Sequence, residues 1–236
     1  MKYLITMITD KGIVKKINQD SMTVKVVDTQ IGKIVMAVIC DGMGGLSRGE
    51  VASALVIKEF SNWFYYTLPV LLQHGLDNLV IKQGWNQVIA NANKEIQRYG
   101  SRNNIKLGTT VSGLLLTDKN YYIIHVGDSR IYTILNEVSQ VTKDHSFTNH
   151  ILLQCVGAAE RIIPDFLIGK AMKNMMYLLC TDGFRHKISN KEIYMNCNFT
   201  ACEDSDVMKR QLHELITLDK LRMESDNISA ILIKVY

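Results

Sequence analysis

Five carboxylates stand beside apolar segments, each in a setting that could hold a cation. CDGMGG, HVGDSR, LLCTDGF and ESDNIS carry Asp41, Asp128, Asp182 and Asp226, each aspartate being followed by glycine or a small polar residue. Asp20, in INQDS, stands just before a further apolar run. A single Asp-Gly at the end of a strand is ordinarily a turn. Five such sites suggest a common centre, because carboxylates brought together repel and raise one another's pKa unless a cation compensates. Hard oxygen donors without a spaced Cys and His set favour Mg²⁺ or Mn²⁺ over structural zinc. Gly42, directly after Asp41, has no side chain to keep an ion away from its carbonyl.

Other chemistries lack their residues. Gly42 and Gly44 are followed by Ser47 where a dinucleotide fingerprint needs its third glycine, and no Gly-Lys-Ser/Thr closes the loop. There is no GxSxG elbow and no HExxH pair among the six histidines. Five cysteines, an odd number without CxxC spacing, read as reduced thiols in a cytoplasmic protein.

Strands and helices must deliver these aspartates. The segments 3–8, 21–27, 33–39, 109–116, 121–126, 130–135, 175–179 and 228–235 are short, β-branched or aromatic, and separated by polar turns, which predicts strands. Ala52, Val56, Phe60 and Trp63 predict a helix over 50–64, and Ile81, Trp85, Ile89, Ala92 and Ile96 another over 77–98. Ser189 with Glu192 forms a capping-box pattern, with Ile188 and Ile193 at staple spacing. Met208, Leu212, Leu215 and Ile216 mark a further helix over 204–216. This order is not βαβ alternation and predicts an α+β fold.

The 236 residues, 47% hydrophobic, suit one domain spanning 1–236. The net charge of +4 is spread without a basic, aromatic-interleaved stripe, so nucleic acid is not an expected partner. The amino-terminal apolar run is broken by Asp10 and Lys11, and no segment has the length of a membrane span.

KGIVKKINQDS, VICDGMGG, GTT at Gly108 to Thr110, VGDSRIY, TKDHS, LLCTDGF and DNISAILI follow one another in an order that resembles the bacterial metal-dependent protein serine/threonine phosphatases of the PP2C (PPM) family. The resemblance implies a four-layer αββα sandwich, two mostly antiparallel sheets flanked by helices. It implies that Asp41 bridges two metal ions, with the Gly42 carbonyl on one of them. Asp182 and Asp226 complete the other, and Asp20 is bound close by or through water. Asp128 and Asp182 match a pair holding a third, weaker ion. A water held between two cations would then attack phosphorus in phosphoserine or phosphothreonine with no covalent phospho-enzyme. Phosphorylated proteins and a cognate bacterial serine/threonine kinase are the implied partners of a monomeric enzyme.

The chain also departs from that pattern. Lys15 stands where the family places a phosphate-binding arginine; it keeps the charge and loses the planar fork. Met43 stands where eukaryotic relatives commonly have a histidine considered a general acid and bacterial relatives often have methionine, which leaves protonation of the leaving group unassigned. His145 is read as a structural or second-shell residue and Asn227 as second shell, while His125 and His186 are read as bonding to neighbouring backbone. Twelve steps from His145 to Gly157 imply a reduced or absent flap, with Phe147, Ile151, Leu152 and Val156 as one helix face. Substrate selection would then fall to GLSRGE at 45–50 or FRHKISNKE after Gly183. Two rival readings remain: a catalytically weak phosphoprotein-binding module, and a phosphatase of small phosphoesters.

Overall fold

The computed structural model describes residues 1–43, 48–148 and 151–236. In chain order, β1 (Tyr3–Asp10), β2 (Ser21–Thr29), β3 (Gly32–Cys40) and β4 (Gly42–Met43) lead into α1 (Gly49–Asn62), α2 (Leu68–His74) and α3 (Asn78–Asn103). A strand group follows: β5 (Gly108–Thr109), β6 (Val111–Leu116), β7 (Asn120–Val126), β8 (Arg130–Ile134), β9 (Val138–Gln140), β10 (Ser146–Thr148), β11 (Ile151–Leu152), β12 (Asp165–Lys170) and β13 (Met176–Cys180). The chain closes with α4 (Asp182–Arg185), α5 (Asn190–Cys197), α6 (Ser205–Leu221) and β14 (Ile228–Val235).

Two five-stranded antiparallel sheets, ordered β1-β14-β13-β8-β9 and β12-β7-β6-β3-β2, stack face to face. The central strands β3 and β14 are apolar on both faces because both faces are covered. Val35, Ala37 and Ile39 of β3 meet Ile231, Ile233 and Val235 of β14 between the sheets. The alternate residues Ile34, Met36 and Val38 turn outward to α1 and α3, and Ala230 and Leu232 turn outward to α5 and α6. The result is the expected αββα sandwich.

Helix ends follow local chemistry. Asp77 caps α3 by accepting from the Leu79 N–H at 2.7 Å, and Asp204 caps α6 from Asp206 and Val207. The Ser189 and Glu192 capping box opens α5. The helix predicted to run to Phe64 leaves α-geometry at Asn62 and widens into a π-helical turn over Trp63–Thr67, just before Pro69, which has no N–H to donate.

The sequence expectation fails in several places, with α2 and β9 among the elements not expected. The strand expected over 109–116 breaks at Thr110, which separates β5 from β6. The helix face predicted from Phe147 to Val156 does not form: β10 and β11 pair antiparallel, Ser146 opposite Leu152, and Val156 bridges to Thr109. Phe147 is 79% exposed while Val156 is buried in the core, so the two do not share one buried helical face. The edge strand β12, pairing with β7, was not expected at all. No helix among the described residues is long and apolar enough to cross a membrane.

Candidate active site

Strand register brings the predicted carboxylates to one end of the sandwich. Ser21 pairs with Cys40, so Asp20 and Asp41 flank the same rung of β2 and β3. Cys180 pairs with both Ala230 and Arg130, which puts Asp182, Asp226 and Asp128 at the corresponding end of the other sheet. Gly127, at φ +107, makes the turn that presents Asp128.

Asp41 is fixed through its backbone. Its N–H donates to Thr110 Oγ1 at 2.9 Å, and its carbonyl accepts from the Thr110 N–H at 2.9 Å and Thr109 Oγ1 at 2.8 Å. Thr110 Oγ1 also lies 2.7 Å from Ser129 Oγ, tying this clamp to the Asp128 turn. Gly42 and Gly49 cross at close range: a Cβ on Gly42 would fall 2.2 Å from the Gly49 carbonyl oxygen and 2.5 Å from that of Gln19. Only glycine permits this approach.

The carboxylates sense one another. Burial, and then the charges of Asp20, Asp182 and Asp226, push Asp41 well above the ordinary carboxylate range. Burial raises Asp20 to about 7, with Asp182 and Asp226 adding to the rise and hydrogen bonds from Ser229 and Thr181 opposing it. Thr181 Oγ1 donates to Asp20 Oδ2 at 3.1 Å. Asp128 rises to about 6, first through burial and then through Asp182, against the pull of Arg185. Lys15 Nζ lies 2.9 Å from Asp226 Oδ1, and this contact raises the ammonium pKa in spite of burial, which acts the other way.

Four carboxylates, Asp20, Asp41, Asp182 and Asp226, are thus opposed by one ammonium. Asp20 Oδ1 and Asp182 Oδ1 are buried and have no hydrogen-bond partner. Orphaned anionic oxygens of this kind suit hard divalent cations. Among the described residues, no group of three or more His, Cys, Asp or Glu side chains stands in a ready-made coordinating arrangement. The fit to a metal therefore rests on charge and on unsatisfied oxygens.

The supporting residues differ from one another in role. Asn227 Oδ1 accepts from the Gln19 N–H at 2.9 Å, and its Nδ2 donates to the carbonyls of Lys11 and Ile17, so it straps the Lys15 loop and places Asp20. His145 Nδ1 accepts from the Gly127 N–H at 3.3 Å while Nε2 donates to Asp165 Oδ2 at 3.1 Å, which buttresses the Asp128 turn. His125 bonds to the Lys143 carbonyl and to Ser112. His186 departs from the backbone role read for it: its ring lies between Asp182 Oδ2 at 3.5 Å and Glu224 Oε2 at 3.6 Å.

Thr109, Thr110, Thr181, Gly49, Arg185 and Glu224 carry no sequence signal beyond the GTT triplet and helical spacing from Asp182. In GLSRGE, residues 45–47 lie outside the described residues. The FRHKISNKE stretch does not begin as a surface, since Phe184 is fully buried and Arg185 faces Asp128 and Asp144. A groove of about 970 Å³ opens past Met43, two residues after Asp41, bordered by Met43, Lys106, Gly108, Leu152 and Cys155.

Residues 13–217 match the family model described as Protein phosphatase 2C. The chain belongs to the protein phosphatase 2C family. It is 26% identical to a putative protein phosphatase of Mycoplasma pneumoniae, covering 98% of this chain and 96% of that one. It is 27% identical to the serine/threonine phosphatase stp of Listeria innocua, covering 96% and 93%. Its fold is similar to that of the S. agalactiae serine/threonine phosphatase, with a TM-score of 0.83 and 24% identity over the whole of both chains. It is also similar to the catalytic domain of the phosphatase PstP solved with two manganese ions, with a TM-score of 0.79 and 24% identity over 99% of each.

Proposed function

We propose that this chain hydrolyses phosphoserine and phosphothreonine in proteins, using Mn²⁺ or Mg²⁺ held by Asp41, the Gly42 carbonyl, Asp182 and Asp226, with Asp20 alongside. The observation that carries this reading is the uncompensated charge: four carboxylates delivered by separate strand ends against Lys15 alone, two of them with orphaned buried oxygens. The manganese found with PstP, a protein of the same fold, supports the choice of ion. When bound, such ions acidify water and neutralise phosphate oxygens.

The chain's own residues prepare that chemistry. Thr109 and Thr110 hold Asp41 at both its N–H and its carbonyl, so its carboxylate is aimed before any ligand arrives. Thr181 fixes one oxygen of Asp20, leaving the other free. Lys15 bridges cluster and solvent: 41% exposed at its side chain, it reaches Asp226 from the open side and is placed to draw in a phosphate dianion. The groove past Met43 and Gly108 accommodates the peptide that carries the phosphate, and a cognate bacterial kinase would supply that substrate.

The test compares turnover on phosphothreonine and phosphoserine peptides with turnover on a small chromogenic phosphoester, with Mn²⁺ or Mg²⁺ present. Metal-dependent release from the peptides is expected. Release from the ester alone would replace this reading with that of a small-phosphoester phosphatase. A folded protein inactive on both would favour the phosphoprotein-binding module.

A further inference from the structure

We infer that Arg185 serves as a built-in cation at Asp128, in place of the third metal ion, so that the centre takes two ions and no more. The inference rests on the two-ion reading of the Asp41 side and concerns the opposite flank of Asp182.

Arg185 ends α4, three residues after Asp182, and its side chain is only 10% exposed. Nη2 lies 4.0 Å from Asp128 Oδ2 and 3.6 Å from Asp144 Oδ2. Asp144 is itself held by hydrogen bonds from two side chains. It accepts from Arg130 Nε at 2.9 Å and Arg130 Nη2 at 2.7 Å, and from Gln140 Nε2 at 2.9 Å. The guanidinium of Arg185 is therefore held between two carboxylates, one of which is anchored from its far side. Its Nε is buried without an acceptor, so charge rather than a completed hydrogen-bond set retains it.

The two flanks of Asp182 are electrostatically different. On one flank four carboxylates face one ammonium. On the other, Asp128 and Asp144 face Arg130 and Arg185, so two negative charges meet two positive ones. A divalent ion arriving at Asp128 would meet a fixed cation at contact range in a site of low dielectric. Arginine cannot give way by losing its proton. Swinging it out would take from Asp128 its near cation and from Asp144 one of its two, and would move a largely buried guanidinium away from both carboxylates, a costly rearrangement. The residues present at Asp128 therefore do not fit a third ion.

The experiment is calorimetric titration of the metal-stripped protein with Mn²⁺, with bound metal counted by elemental analysis. The expected result is two ions in the wild type, two in Arg185→Lys, and a third, weaker ion in Arg185→Gln that is lost again when Asp128→Asn is added. Removing the fixed charge should tighten that third site at least about tenfold, into the range a titration reads. Three ions in the wild type, one of them lost in Asp128→Asn, would overturn the inference. So would a folded Arg185→Gln that still binds only two. If Arg185→Gln does not fold, the wild type beside Asp128→Asn decides: equal stoichiometry supports the inference and loss of an ion overturns it. A wild type that binds no Mn²⁺ overturns the two-ion reading itself and this inference with it, whereas three ions overturn only the inference.

Discussion

The N–H of Asp41 donates to the hydroxyl of Thr110 at 2.9 Å, across the break that separates β5 from β6. The break also frees the Thr110 N–H to donate to the Asp41 carbonyl at 2.9 Å, because a residue paired in the ladder would spend its backbone on its neighbours. Thr110→Val keeps the shape and removes the acceptor. It should destabilise the protein by about 1–3 kcal/mol, the usual effect of orphaning a buried donor. Displacement of Asp41 by a fraction of an ångström should lower kcat by up to about 100-fold. Thr110→Ser should retain most of both. Denaturant midpoints and steady-state kinetics on a phosphopeptide check this, and a Thr110→Val with wild-type kcat would remove the clamp from the account.

The carboxylate cluster also predicts how stability varies with pH. Asp20 and Asp128 are raised in the folded protein to about 7 and about 6, and Asp41 is raised well above the ordinary carboxylate range, all chiefly by burial. Where a folded-state carboxyl pKa lies above its unfolded value, the native state binds more protons, so stability falls as pH rises between the two values. Metal-stripped protein should therefore lose Tm as pH climbs from about 4 to about 7. Saturating Mn²⁺ should flatten that decline, because cations replace the protons. Scanning calorimetry with EDTA and with Mn²⁺ reads both slopes, and parallel curves would show that the cluster does not bind metal.

Lys15 separates charge from geometry. Lys15→Ala should raise KM for a phosphopeptide about tenfold, the scale of a charge-assisted hydrogen bond, with a smaller effect on kcat. Lys15→Arg should lower KM below the wild-type value by restoring a bidentate fork. Steady-state kinetics of the two variants test this, and an unchanged KM in both would leave Lys15 as a partner of Asp226 alone.

Much of the fold could be read in the sequence wherever burial imposes a period. β14 coincides with its apolar run because it lies between β1 and β13 with both faces covered. α3 follows from the spacing of Ile81, Trp85, Ile89, Ala92 and Ile96, all buried against the sheet. β12 escaped because an edge strand such as DFLIGK is only half-covered and contains Gly169 and Lys170. β10 and β11 escaped because four apolar residues at helical spacing arise as readily in a short hairpin. At the site, the aspartates could be read because each marks a change from strand to turn. Arg185 and Thr181 could not, since the contact of Arg185 with Asp128 exists only once β13 has paired with β8, and that of Thr181 with Asp20 only after the two sheets stack.

The most direct test of the central claim is release of phosphate from a phosphothreonine peptide by the wild type and Asp41→Ala, each with EDTA, Mg²⁺ or Mn²⁺. Asp41 stands at the meeting point of both sheets and all its neighbouring charges, so its loss should abolish turnover while the protein stays folded. Turnover that needs the metal and disappears in Asp41→Ala is the predicted result. Turnover that persists in EDTA, or in the variant, would contradict the metal centre built on Asp41.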